Sequence, residues 1–259
     1  MAGIRYVDAD VTLGVENVVL QGRPLGSRET LDRLAECGIA EALVAHNAAV
    51  EGDPASGNRM LARALEEADL TRSGLKLHAA WVLVPLSAGD MGTAEELRQT
   101  LAQSRVRAAL LYPEIHSYSV AEWCCGEIYE LCEAMRLPLF TRLTLDFGYD
   151  ALHTLLSNHP KLRVVLRNAD YRMPRSIYRL FDLFENLAVE SGRYSPFGGI
   201  EDVVRRWGAG RLVFGSGAPG FSAGAAVGMV ALAQIDDAAR RRIAGDNLLA
   251  LIEGIRYDA

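Results

Sequence analysis

Apolar and polar positions alternate one by one near the start of the chain. In "YVDADVTLG", residues 6–14, Tyr6, Asp8, Asp10 and Thr12 share one parity, and Val7, Ala9, Val11 and Leu13 share the other. A strand points successive side chains to opposite faces, so this stretch predicts a strand with one polar and one apolar face. The first strand is expected over 5–11, and further short apolar runs predict strands over 41–45, 77–84, 107–112, 138–143, 163–166, 187–190 and 211–214. Between them, apolar residues recur at helical spacing over 27–37, 57–68, 94–104, 120–135, 149–158, 175–184, 200–207 and 236–251. Ser27, Thr93 and Asp236 stand where they could cap three of these helices.

Eight strands alternating with helices imply parallel pairing through helical crossovers. With 259 residues, close to the roughly 250 of a (β/α)8 TIM barrel, that barrel is the expected α/β fold. A doubly wound open sheet is the alternative, but no GxGxxG follows the first strand. No repeat, low-complexity tract or linker interrupts the chain, so one domain over 1–259 is expected.

The formal net charge is −6 with no basic run, which argues against nucleic acid or an anionic membrane as partner. No apolar stretch approaches the roughly 20 residues that span a bilayer, and no secretory leader is evident. The four cysteines, Cys37, Cys124, Cys125 and Cys132, form neither a CxxC pair nor a disulfide pattern. A reduced, cytoplasmic protein is expected, with homo-oligomerisation left open.

Barrel chemistry sits at the C-terminal ends of strands. Those ends offer Asp10 and Thr12, His46 and Asn47, Trp81, Tyr112 and Glu114, Thr141 and Arg142, Arg167 and Asn168, Glu190 and Ser191, and Ser216 and Gly217. Asp8 and Asp10, two apart on one strand, suggest a metal or acid–base site; polar strand ends at a solvated boundary are the plainer reading. "CC" at 124–125 reads as helix packing, with no base at a motif spacing. "VFGSG" lacks the Gly-x-Ser-x-Gly of a nucleophile elbow.

Longer stretches carry a resemblance. "GNRMLARALEEA" (57–68), "RAALLYPEIHSY" (107–118), "LCEAMRLPLF" (131–140) and "HPKLRVVLRNAD" (159–170) resemble successive segments of the amidohydrolase superfamily, in its amidohydrolase-related branch. "LAVESGRY" (187–194), "RRWGAGRLVFGSGAP" (205–219) and "GDNLLALI" (245–252) resemble that branch's closing section. The resemblance implies a distorted (β/α)8 barrel of metal-dependent hydrolases and decarboxylases. Its first strand carries Asp-x-His-x-His; here Asp8 matches the Asp, while Asp10 and Thr12 replace the histidines. Arg142 and Asn168 stand where two further histidines belong, and Gly217 replaces the Asp of "FGSDxP".

A zinc-type centre needs converging imidazoles and a carboxylate. A guanidinium has no acceptor atom and is always charged, so no metal or other cofactor is expected. Arg142 is instead expected to supply the internal positive charge and to pair with Asp10, these two being the candidate catalytic residues. Thr12, His46, Tyr112, Arg167, Asn168 and Ser191 are candidate substrate-binding residues. On the seventh strand the family pattern favours Ser191 inward over Glu190, and Trp81 is read as a wall of the pocket. A relocated metal site using His46, His116 and Asp10 is a further, weaker reading. The expected partner is a small anionic organic molecule. Two functions follow: a metal-independent hydrolase or lyase acting on a small carboxylate or carbonyl substrate, or a catalytically silent barrel that binds a ligand or protein.

Overall fold

All eight apolar runs form strands in the computed structural model, which describes residues 3–14, 19–20, 23–66, 74–144 and 147–258. They are β1 Tyr6–Leu13, β2 Ile39–His46, β3 Lys76–Val82, β4 Ala108–Leu110, β5 Leu139–Arg142, β6 Val164–Arg167, β7 Leu187–Glu190 and β8 Leu212–Val213. Each pairs in parallel with the next in chain order. The chain beyond β8 returns to β1: Ala9 N donates to Phe214 O at 3.0 Å and Thr12 N to Ala218 O at 2.9 Å. That contact closes the ring, so the fold is a (β/α)8 barrel and the open-sheet alternative falls.

The helices are α1 Ser27–Glu36, α2 Asn47–Glu51, α3 Pro54–Glu66, α4 Ala94–Gln103, α5 Pro113–His116, α6 Glu122–Met135, α7 Tyr149–Asn158, α8 Pro174–Leu183, α9 Gly199–Trp207, α10 Ala223–Leu232, α11 Asp237–Arg241 and α12 Asn247–Glu253. Residues 67–68, the end of the helix expected over 57–68, lie outside the described residues. A π-helical turn, Arg242–Asp246, joins α11 to α12, where the sequence pattern predicts one unbroken helix. The sequence gives no sign of α10, because "AGAAVGMVAL" is small and apolar on all sides. Thr93 caps α4 in a full capping box, and Asp236 caps α11. Ser27 does not cap α1; its Oγ accepts from Gly14 N at 2.8 Å instead, fixing the end of β1 against that helix.

Two apolar layers hold the barrel. Tyr6, Val11, Leu13, Val44 and Leu166 belong to the layer between strands and helices. Val7, Ala9, Leu43, Ala80, Leu110, Phe140 and Val165 fill the lumen, which α2 covers at the C-terminal mouth with Ala49 and Val50 and α12 at the opposite end with Leu248 and Ile252. Apolar side chains fill the lumen because eight strands leave an interior only side chains can occupy.

The expected two-faced first strand is corrected here. From Asp8 to Val11, β1 advances three residues while β2 advances two, Ala42 to Val44. This bulge inverts the parity. Val7 and Ala9 face the lumen, but Val11 and Leu13 face the helices. Asp8 keeps the outward parity of Tyr6, whereas Asp10 and Thr12 turn inward and line the luminal void. The two aspartates therefore do not share a face.

Beyond β7 and β8 the chain narrows to Gly192 and Gly215. An ideal Cβ on Gly192 would sit 2.0 Å from Gly215 O and 2.7 Å from Glu190 Oε1. Gly192→Ala is expected to destabilise the fold by about 1–3 kcal/mol, the usual cost of forcing atoms into a packed site, measured by urea unfolding.

Candidate functional site

Arg142 and Arg167 are register partners at the ends of β5 and β6. Each lies two residues beyond a lumen-filling side chain, Phe140 and Val165, so both project inward. Arg167 is the deeper. Its Nη2 donates to Asp10 Oδ1, its Nη1 donates to Tyr112 Oη at 2.6 Å, and the side chains of Asp10 and Arg167 are both over nine-tenths buried. Burial works against the guanidinium's charge, but the Asp10 carboxylate and Tyr112 outweigh it and hold its pKa above the usual arginine value. The Nε of Arg167 has no partner among the described residues.

The expected Asp10–Arg142 pair is thus corrected: the cation on Asp10 is Arg167. Arg142 stays nearer the rim, a third exposed, and its Nε donates to Glu114 Oε1 at 2.5 Å. The Tyr112 ring carries both cations, with the guanidinium carbons of Arg142 and Arg167 at 5.3 Å and 5.4 Å from its centroid. An inner and an outer ion pair therefore share one aromatic ring.

Two more carboxyls lie beside the inner pair. Ala188 faces the lumen, so Glu190 does as well, and its backbone position puts Ser191 on the other parity. This reverses the expected orientation on β7. Glu190 is 1% exposed; its Oε1 accepts from Gly192 N and its Oε2 from Asn168 N at 3.5 Å. Burial first, and then the negative charge of Asp10, push its pKa up to about 8. Asp8 is pushed up to about 7, again chiefly by burial, against favourable hydrogen bonds from Ser216 and Asp10 N. Asp8 Oδ1 accepts from Ser216 N at 2.8 Å and Asp10 N at 3.0 Å, while Oδ2 is buried without a partner among the described residues. The Arg167–Asp10 pair is thus flanked by Glu190, which largely keeps its proton at neutral pH, and by Asp8, which is partly protonated there. Glu190 was visible in the sequence as a strand end; its role follows from lumen parity.

The remaining candidates separate. Thr12 lines the same luminal void as Asp10 and Arg167. His46 sits outside it, its Nδ1 accepting from Ala48 N at 3.1 Å to start α2. Asn168 adopts φ of +55°, turning the chain out of β6 and aiming its N–H toward Glu190. Ser191 Oγ is buried with no partner among the described residues. Trp81 lies in the helix-facing layer, so it is core and not a pocket wall. Burial holds both His46 and His116 below the usual histidine pKa, and among the described residues no three His, Cys, Asp or Glu side chains are placed to hold a metal ion. Cys125 and Cys132 are buried, with thiols pushed up to about 12 by burial, as helix packing requires and nucleophilic attack does not.

The void enclosed by Asp10, Thr12, Leu43, Leu110 and Arg167 leaves about 10 Å³ for a water-sized sphere, room for roughly one water. A larger cavity of about 430 Å³ opens at the rim, lined by Glu114, Ser117, Tyr118 and Ser119.

A model of the amidohydrolase family matches residues 26–251. The chain belongs to the amidohydrolase family. No protein of curated function matches the chain by sequence. Among solved structures it is similar to the 5-carboxyvanillate decarboxylase LigW of Sphingomonas paucimobilis, with 12% identity, TM-score 0.73 and coverage of 97% of this chain and 99% of that one. It is also similar to a 2,6-dihydroxybenzoate decarboxylase from Rhizobium, with 18% identity, TM-score 0.69 and coverage of 98% and 99%. A third is a dihydroxybenzoic acid decarboxylase from Polaromonas with bound manganese and the inhibitor 2-nitroresorcinol, at 16% identity, TM-score 0.66 and 96% coverage of both chains. At these identities the likeness establishes the barrel alone.

Two outcomes follow for this barrel. Asp10→Asn should cost about 3–5 kcal/mol by leaving the Arg167 charge buried and unpaired, and adding Arg167→Met should recover part of that loss. Arg142→Met, breaking a partly exposed pair, should cost less than about 1 kcal/mol; a double-mutant cycle in urea measures all three. Glu190 has a folded-state pKa above its ordinary 4.5, so its contribution to stability is full below about pH 4.5 and is lost as pH rises through about 8. The melting temperature should accordingly fall between about pH 5 and 8, and Glu190→Gln should flatten that fall.

Proposed function

We propose that this amidohydrolase has exchanged its metal centre for a fixed guanidinium and binds a small organic carboxylate at the barrel mouth, acting over 1–259 as one catalytically silent, ligand-binding barrel. The observation that carries this reading is Arg167: it lies where a luminal cation would, paired to Asp10 and hydrogen-bonded to Tyr112. A divalent ion beside it would be repelled, and the oxygen it would need, Asp10 Oδ1, already accepts from the guanidinium. The residues present do not fit the manganese that a family neighbour holds.

The closed lumen directs the ligand outward. Arg142, a third exposed at the mouth, pairs with Glu114, which lines the rim cavity of about 430 Å³, and a carboxylate there gains charge-assisted hydrogen bonds in place of Glu114. Decarboxylases of aromatic carboxylates among the structural neighbours make benzoates the first class to try. A second reading is a metal-independent lyase or hydrolase. It is favoured by Glu190, which holds a proton up to about pH 8 next to Arg167, and it requires the Arg167–Asp10 pair to open around the substrate.

Protein expressed in medium supplemented with zinc, manganese and iron should carry well under one equivalent of metal, and hydroxybenzoates should raise its melting temperature. Arg142→Met should weaken that shift. Stoichiometric metal, or a shift that survives the substitution, would overturn the reading; turnover of a hydroxybenzoate by the metal-free protein would replace it with the second.

A further inference from the structure

The mouth is not the only end of the barrel with a charged cavity. At the N-terminal face, a cavity of about 350 Å³ lies between α12 and the starts of β6, β7 and β8. Three guanidiniums line it, Arg136, Arg163 and Arg242, with Glu185 as the one carboxylate. Three positive charges against one negative leave two uncompensated, in a chain whose overall charge is −6. Among the described residues none of the three forms an ion pair with a carboxylate, and Arg163 only approaches a main-chain oxygen, Glu185 O, at 3.4 Å. A groove of about 700 Å³ adjoins it and adds Lys161 and Arg256 together with the carboxylates Glu130 and Glu133, so the excess of two positive charges is unchanged.

The cations are positioned rather than scattered. Arg242 opens the π-helical turn, a rare local geometry that recurs at functional sites. Its Nη2 lies against Gly210, 3.1 Å from where a Cβ would be, so a larger residue there would crowd it. Arg136 ends α6 in the left-handed region, with φ of +53°. The two asparagines that line the cavity are committed to main-chain carbonyls. Asn247 Nδ2 donates to Ala209 O and Leu212 O at 2.8 Å and 2.7 Å, and Asn186 Nδ2 donates to His159 O and Leu162 O at 3.0 Å each. Between the charges, partly exposed Ala188 and Leu251 give the cavity an apolar floor.

We propose that this cavity binds a phosphate monoester with an apolar or aromatic substituent. The charge decides between anions: a monoester carries about −1.5 to −2 at pH 7, which matches the two uncompensated charges, whereas a monocarboxylate leaves one. Guanidinium forks pair with phosphate oxygens bidentately, and the apolar floor takes the substituent. Its size falls in the range of small-molecule sites.

Phenyl phosphate titrated into the full chain by calorimetry tests this, with inorganic phosphate and benzoate as comparators. One saturable site is expected, at least about tenfold tighter for phenyl phosphate than for either comparator. Arg163→Gln combined with Arg242→Gln should weaken it at least about tenfold; both side chains are exposed, so the melting temperature should stay close to that of the parent. Arg142→Met, at the other end of the barrel, should leave it unchanged. Binding that is lost with Arg142 and kept in the Arg163/Arg242 variant would overturn the assignment and move the ligand to the mouth. Absence of saturable binding at millimolar concentrations would overturn it outright, and equal affinity for inorganic phosphate would overturn the ester class.

Discussion

A charged guanidinium in the lumen of a barrel must be neutralised and given acceptors for its donors, and much of the mouth follows from that requirement. Burying an ion costs several kcal/mol even after relaxation, and Arg167 is buried at the end of β6. Asp10 answers its charge and Tyr112 its second donor edge. Burial, reinforced by the nearby charge of Asp10, makes further negative charge unfavourable there, and Glu190 and Asp8 hold protons to higher pH than free carboxyls do. A metal ion can be gained or lost; an arginine is always present and always charged. The electrostatics of this mouth are therefore built into the chain.

Tyr112 links the inner pair to the rim. It accepts from Arg167 with its hydroxyl, and its ring meets the guanidiniums of both Arg167 and Arg142. Moving Arg142 away from Glu114 to meet an anion alters a contact on the same ring that holds Arg167. The opposite end of the lumen is handled differently. There Glu41, 1% exposed, takes Nε2 of His78 at 2.6 Å and the nearby cations Arg5 and Lys76, closing the floor with compensated charge. Beside that sealed floor, the arginines around α12 remain without carboxylate partners, which sets that cavity apart.

The site was partly legible in the sequence. Asp10, Tyr112, Arg142 and Arg167 stand at strand ends of a recognisable barrel. The pairing was not legible, because Arg142 and Arg167 are equivalent by register and only depth in the lumen separates them. Glu190 was assigned outward from the family pattern, yet Ala188 packing into the lumen fixes it inward. Glu114 reaches Arg142 from α5, a four-residue helix too short to leave a periodic signal.

The order of apolar runs and amphipathic segments determined the eight strands, most of the helices and the closed barrel, since each of those depends on local periodicity and chain length. What the sequence could not determine is where that periodicity slips. One extra residue in β1, opposite Ala42–Val44, turns Asp10 into the lumen and leaves Asp8 outside, and nothing in "YVDADVTLG" marks the bulge. It is decided by hydrogen bonds that come from the far end of the chain, Phe214 O and Ala218 O accepting from Ala9 N and Thr12 N. Those partners reach β1 only when the barrel closes, so the face each aspartate presents is a property of the tertiary structure.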